Sequence, residues 1–128
     1  MILLLDTHVL IWTMMDPQKL SARASRAMRS PENELVLSCI SLIEIAIKAQ
    51  SGKLEIPLSR DYMDEHFQNI GISRILDVLP EHAYTIASIP RIHGDPFDRL
   101  LAAQCVVERM HLVSADRVFR KYPIELIW

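Results

Sequence analysis

The chain has 128 residues, half of them hydrophobic, with 14 Lys and Arg against 16 Asp and Glu for a formal net charge of -2. That length sustains an ordinary core without disulfides or structural metal, the apolar fraction excludes a disordered chain, and the near-balance of charge excludes a polybasic nucleic-acid tail. Nucleic acid stays open as a partner, because clustering of charge counts for more than its sum.

The opening MILLLD holds a branched, apolar strand over Ile2–Leu5. It lacks a basic leader and reaches Asp6, so no secretory signal is expected. Ser21–Ser30 follows as an exposed helix, with Ala22, Ala27 and Met28 among basic residues. Leu35–Ser38 is a second strand. Ser41–Ser51 is apolar nearly all round (Leu42, Ile43, Ile45, Ala46, Ile47), which predicts a buried helix. Ser59–Ile70 places Met63, His66, Phe67 and Ile70 at i, i+3, i+4, i+7 spacing, and Gly71 ends it. A third strand is expected at Arg74–Val78, a short helix at Pro80–Ser88, and a long helix at Pro96–Arg109 that buries Leu100, Leu101, Ala103, Val106 and Val107. Leu112–Ser114 reads as a strand, Arg117–Tyr122 as a short helix, and Ile124–Ile127 as a weaker last strand.

Continuous apolar strands alternating with helices predict a parallel sheet covered on both faces, in one α/β domain over 1–128 without repeat or linker. Cys39 and Cys105 lie in apolar stretches and read as buried, reduced thiols. No apolar run approaches the roughly 18 residues of a membrane span, so the chain reads as soluble and cytoplasmic, with no membrane partner.

Acidic residues recur where strands end and helices begin. Asp6 follows the first strand, Glu44 the second, and Asp116 the fourth, while Asp95 and Asp98 open the long helix. In an open parallel sheet these points line one edge, where ligands bind. Each acid also has a plainer explanation. Ser41 and Glu44 fit a capping box, Asp95-Pro96 an N-cap with Pro at N1, and Asp98 an N3 position. Asp116 can cap the short helix Arg117–Tyr122, and Asp6 the segment after the first strand. Capping alone accounts neither for a shared edge nor for acids in place of Ser, Thr or Asn. Gathered carboxylates stay ionised together only beside a positive charge, and Mg²⁺ or Mn²⁺ favours such oxygen ligands. Such an ion lowers the pKa of a bound water and stabilises phosphoryl charge, and two ions about 4 Å apart do both, which implies phosphoester hydrolysis.

The blocks ILLLDTHVLIW, SCISLIEIAIK, GDPFDRLLAAQ and LVSADRVFRKY, in this order, resemble the signatures of PIN-domain ribonucleases, in particular VapC-type toxins of toxin–antitoxin pairs. The resemblance runs from the first strand to the end of the chain. It implies a three-layer α/β/α sandwich with a central, mainly parallel sheet of four to five strands. It also implies an Mg²⁺-dependent endoribonuclease leaving a 3′-hydroxyl and a 5′-phosphate, a homodimer, and a small antitoxin that blocks the site. By position, Asp6, Glu44, Asp98 and Asp116 match the family's acidic quartet as catalytic and metal-binding residues, with Asp95 an alternative third acid; an N-cap oxygen at Asp95 is already engaged, which favours Asp98.

Thr7 can orient a carboxylate, hold a metal-bound water or touch RNA, or simply start a helix. Arg99, Arg117, Arg120 and Lys121 follow the acids and are candidates for holding RNA phosphates, set against ordinary solvent-facing roles. His8 beside several carboxylates makes no zinc motif, and His66, His82, His93 and His111 show no ligand spacing. His66 interrupts an apolar stripe and suits an interface. Trp12 and Trp128 read as packing residues. The same acidic edge also suits a DNase or a small-molecule phosphohydrolase, although His8, where an aspartyl phosphatase has a second Asp, argues against the latter. A non-catalytic binding module is the third reading, with Tyr62, Met63 and Phe67 as a partner groove or dimer face.

Overall fold

A computed structural model describes all residues from Met1 to Trp128. The strands are β1 (Ile2–Leu5), β2 (Glu34–Ser38), β3 (Ile72–Leu76), β4 (His111–Val113) and β5 (Leu126–Ile127). They form one five-stranded sheet in the order β3-β2-β1-β4-β5, with every pairing parallel. The helices are α1 (Thr7–Met15), α2 (Ala22–Arg29), α3 (Cys39–Gln50), α4 (Arg60–Ile70), α5 (Pro80–Ile86) and α6 (Pro96–Glu108), with short 3₁₀ segments at Pro17–Lys19 and Arg117–Lys121. No helix is long and apolar enough to cross a membrane.

The period-two alternation of β1 divides the core. Leu4 points with Val36 and Leu112 toward α5 and α6, in a cluster completed by Leu101, Ala102 and Phe119. Leu3 and Leu5 point the other way with Leu35, Leu37 and Val113, against Val9, Ala24, Ile45 and Phe67 from α1 to α4. The sheet is thus covered on both faces, as its unbroken apolar strands require. β2 and β3 lie on one side of β1, and β4 and β5 on the other. The order therefore reverses between β1 and β4, and the crevice beyond the carboxyl ends of those two strands is the place where this topology binds ligands.

Local chemistry explains most element ends. Ser21, Ser59 and Asp95 each accept a backbone N–H at the start of α2, α4 and α6. Gly71 ends α4 at φ 84°, a left-handed conformation that costs a glycine little. The sequence reading differs in several places, among them β3, expected at Arg74–Val78 and found two residues earlier at Ile72–Leu76. It assigns no helix to Thr7–Met15, which is α1; that segment is apolar on most sides and offers no clean periodicity. It starts α3 at Ser41, whereas Ser38 accepts from Ile40 N and the helix begins at Cys39. It buries α3 entirely, whereas Ile43 and Ile47 are 47% and 50% exposed. Both cysteines are free; Cys105 is buried and Cys39 only partly so.

Candidate active site

β1 delivers Asp6 directly into the crevice. Asp6 holds the N-cap position of α1, yet its side chain makes no capping hydrogen bond. Instead Oδ2 accepts from the buried hydroxyl of Ser114, just beyond β4, at 2.6 Å. Ser114 Oγ also accepts the Asp116 N–H at 3.1 Å, so one serine ties the ends of β1 and β4 together. Glu44 comes from the second turn of α3. Because that helix starts at Cys39, Glu44 cannot reach back to the N-terminus, and the capping box expected of Ser41 and Glu44 does not form. Glu44 is nearly buried and Lys48, one turn on, meets its Oε2 at 3.0 Å. Asp98 lies in the first turn of α6, half-buried, with no hydrogen-bonding or ion-pair partner from the protein.

The five acids therefore separate by what occupies them. Asp95 Oδ1 accepts from Phe97 N at 2.8 Å, and Asp116 Oδ1 from Val118 N at 2.9 Å; both are caps. Asp6, Glu44 and Asp98 cap nothing. Electrostatics group these three. Burial, followed by the negative charges of Asp95 and Asp6 and, least, Glu44, pushes the Asp98 carboxyl up to about 6 against the opposing effect of His93. Burial likewise raises Asp6, with Glu44 adding to the shift and the Ser114 hydroxyl and His8 opposing it. Asp116 behaves differently. Burial raises it, but hydrogen bonds from His93 and Val118 N–H, with the nearby imidazoles of His93 and His8, outweigh that and hold it below the ordinary carboxylate value. Its side chain is 40% exposed, at the outer margin of the crevice.

These residues fit a hard divalent cation. The donors are all carboxylate oxygens, as Mg²⁺ or Mn²⁺ prefers, and Asp98 is an acid crowded by negative charge with nothing positive bonded to it. No three side chains close on a single point as a ready-made cage. Mg²⁺ keeps several waters and takes one or two carboxylates, so an open set of oxygens suits it.

The other candidates fall out differently. Thr7 is fully buried and its hydroxyl donates to Ser41 Oγ at 2.9 Å, joining α1 to α3; that hydroxyl orients no carboxylate, and it is too buried to touch RNA. Arg99 turns toward α5, where Nη2 reaches the Ile86 carbonyl at 3.4 Å with Nε buried, so it clamps two helices. Arg117, Arg120 and Lys121 are exposed on the 3₁₀ segment beside Asp116. Trp12 and Trp128 pack on each other at 5.6 Å. His66 donates or accepts at Thr13 Oγ1 across 2.9 Å, joining α4 to α1. Three participants escaped the sequence reading; Lys48 had a signal in its i+4 spacing from Glu44. Ser114 had a usable signal, a small hydroxyl two residues before Asp116, whereas His93 had none, because its partners lie more than twenty residues away.

An all-parallel α/β/α fold with carboxylates gathered at the β1/β4 crossover defines the class, and the PIN domain family matches residues 3–125. The chain belongs to the PIN-domain family. It is 32% identical over 124 residues to Ribonuclease VapC22 of Mycobacterium tuberculosis, covering 93% of this chain and 90% of that protein. Among solved structures it is similar to a chain in VapBC2 from Rickettsia felis bound to a DNA fragment from their promoter, with a TM-score of 0.69, 14% identity, and 98% and 97% of the two chains covered. VapBC-1 from nontypeable Haemophilus influenzae gives 0.63 at 20% identity, covering 98% and 96%. FitAcB from Neisseria gonorrhoeae gives 0.63 at 17%, covering 97% and 95%. At these identities the structural likenesses speak to the fold.

Proposed function

We propose that the chain is a single PIN-type nuclease domain over 1–128, an Mg²⁺-dependent endoribonuclease that acts as the toxin of a toxin–antitoxin pair. The observation that carries this reading is the set Asp6, Glu44 and Asp98, held at the β1/β4 crevice and left free of capping duty. The family match and the likeness to Ribonuclease VapC22 support RNA as the substrate. Asp6, Asp98 and Glu44 hold the cation, directly or through water, with Asp116 at the margin and Asp95 as helix cap. A bound Mg²⁺, or Mn²⁺ in its place, supplies an activated water and stabilises charge on the phosphoryl oxygens.

The protein's own groups do the remainder. The Ser114 hydroxyl fixes one oxygen of Asp6 and so sets how the carboxylate sits at the crevice. Lys48 tethers Glu44 and offsets part of the local negative charge before the cation arrives. Arg117, Arg120 and Lys121 lie beside Asp116 and hold the phosphates of the strand to either side of the scissile bond, where such contacts fix position and not sequence. Binding of an antitoxin is supported by the apolar groove of about 470 Å³ between α3 and α4, lined by Leu42, Ala46, Met63 and Phe67. The exposed Ile43 and Ile47 extend the apolar surface of α3.

Purified protein offered RNA, single-stranded DNA and an aryl phosphate in Mg²⁺ should cut RNA alone. Asp6→Ala should lower that cleavage at least about 100-fold while retaining the fold, since an electrostatic group at a reacting phosphate is typically worth that much. Cleavage of DNA or the aryl ester in preference to RNA, or full activity in Asp6→Ala, contradicts the reading.

A further inference from the structure

Asp116 is the one acid of the crevice whose two oxygens are both engaged by the protein. Oδ1 accepts from Val118 N, and Oδ2 lies 2.8 Å from His93 Nε2. An ionised carboxylate only accepts, so Nε2 carries the hydrogen. The other ring nitrogen, Nδ1, lies 2.9 Å from the Tyr122 hydroxyl, and in the neutral ring it accepts from it. The same hydroxyl oxygen accepts the His93 backbone N–H at 3.0 Å. With the ring neutral and protonated at Nε2, every donor of this set finds an acceptor within the protein. The ring is also fixed in space. It stacks on Tyr122 at 5.5 Å with an interplanar angle of 2°, and lies 4.5 Å from the Phe119 ring, which is fully buried. Phe119 and Tyr122 belong to the core beneath β4 and β5.

We propose that His93 is a positioning residue for Asp116, locked in its Nε2–H tautomer by Tyr122, so that the core beneath the sheet dictates how Asp116 faces the cation site. This role rests on the metal-site reading of the crevice. His93 comes from the loop before α6, which also brings Asp95 and Asp98, whereas Tyr122 follows the 3₁₀ segment after Asp116. The contact therefore holds two acid-bearing stretches in register, much as a carboxylate or carbonyl orients a metal-bound histidine, with the roles of acid and imidazole exchanged.

The test is Mn²⁺ titration by calorimetry on the full chain without RNA, with nitrogen NMR of the imidazole. His93→Ala should weaken Mn²⁺ binding about tenfold, the lower end of the usual range for such supporting contacts. His93→Gln, which keeps an N–H donor near the Nε2 position, should restore affinity to within about threefold of wild type. Tyr122→Phe, which keeps the ring and its volume, should lower the affinity and abolish the pure Nε2–H signature of His93. In an Asp116→Ala background, His93→Ala should add no further loss. Wild-type affinity in His93→Ala, or His93→Gln binding as weakly as His93→Ala, overturns the positioning role while the metal site stands. Absence of Mn²⁺ binding to the wild-type chain overturns the metal-site reading and this role together. Should His93→Ala fail to fold, Tyr122→Phe decides: an unchanged affinity and tautomer overturn the proposal.

Discussion

Asp98 is held where burial and three neighbouring carboxylates oppose its charge, which makes it a residue that costs stability in the metal-free protein. Its carboxyl titrates at about 6 when folded against 3.8 ordinarily, so between those values the folded chain keeps a proton that the unfolded chain has lost. Stability contributed by the protonated form is complete below about pH 4, falls as pH rises to about 6, and stays at the lower level above that. Asp98→Asn removes the loss. After allowance for the solvent screening of a half-buried group, the variant should be about 1–2 kcal/mol more stable than wild type at pH 7.5 in EDTA. Urea denaturation at pH 4.5 and pH 7.5 checks this, since the gain must be smaller at the lower pH. A variant less stable at both pH values contradicts the picture of an electrostatically crowded acid. Residue by residue, the five acids were legible in the sequence, but their duties were not. Asp95 and Asp116 cap helices as their positions suggest, whereas Asp6, in an equally good N-cap position, bonds Ser114 across the chain. A contact spanning 108 residues leaves no local trace.

Elements were legible where a local device ends them. Asp95-Pro96 starts α6 and Ser59 starts α4 where expected, each with its side chain accepting an N–H. α3 is capped three residues early because Ser38, not Ser41, accepts the first free N–H, and this shift moves Glu44 out of capping reach and into the crevice. α1 went unseen for the opposite reason, since a short helix wedged against the sheet has no polar face to give it a period. α5 is fixed by a device that sequence could not disclose. The buried His82 accepts Leu79 N–H at Nδ1 (3.0 Å), and its Nε2 donates to Glu108 of α6 at 2.9 Å. His82→Ala should destabilise the fold by about 2–4 kcal/mol, from the cavity and the orphaned Leu79 N–H together. Thermal unfolding measures it, and hydrogen exchange should show the loss first in α5. A change under about 0.5 kcal/mol would mean that the network contributes nothing to docking α5.

At the scale of the whole molecule, a net charge of -2 conceals an acidic crevice on a mildly basic protein. Sixteen acids include the five of the crevice and its helix caps, while Arg117, Arg120 and Lys121 stand exposed beside it. Affinity for single-stranded RNA should therefore fall as salt rises, with a slope of about -0.7 per phosphate neutralised. Arg117→Ala should weaken binding similarly for all sequences and reduce that slope by about 0.7. Arg99→Ala should leave the slope unchanged, because its guanidinium faces α5. Fluorescence anisotropy at several salt concentrations with the Asp6→Ala protein checks both. Fold class was the most legible property, because unbroken apolar strands demand cover on both faces. Strand order was beyond reach of composition, yet it decides the site, since only the reversal between β1 and β4 makes neighbours of Asp6 and Ser114.

The central claim is that the three uncapped acids work through a divalent cation to cut RNA. The most direct measurement is the rate of RNA cleavage after exhaustive EDTA treatment and on stepwise return of Mg²⁺ or Mn²⁺, for wild type beside Asp98→Asn. Cleavage should vanish in EDTA, return with the metal, and stay at least about 100-fold lower in the folded Asp98→Asn protein. Undiminished cleavage in EDTA, or wild-type rates from Asp98→Asn, contradicts the account.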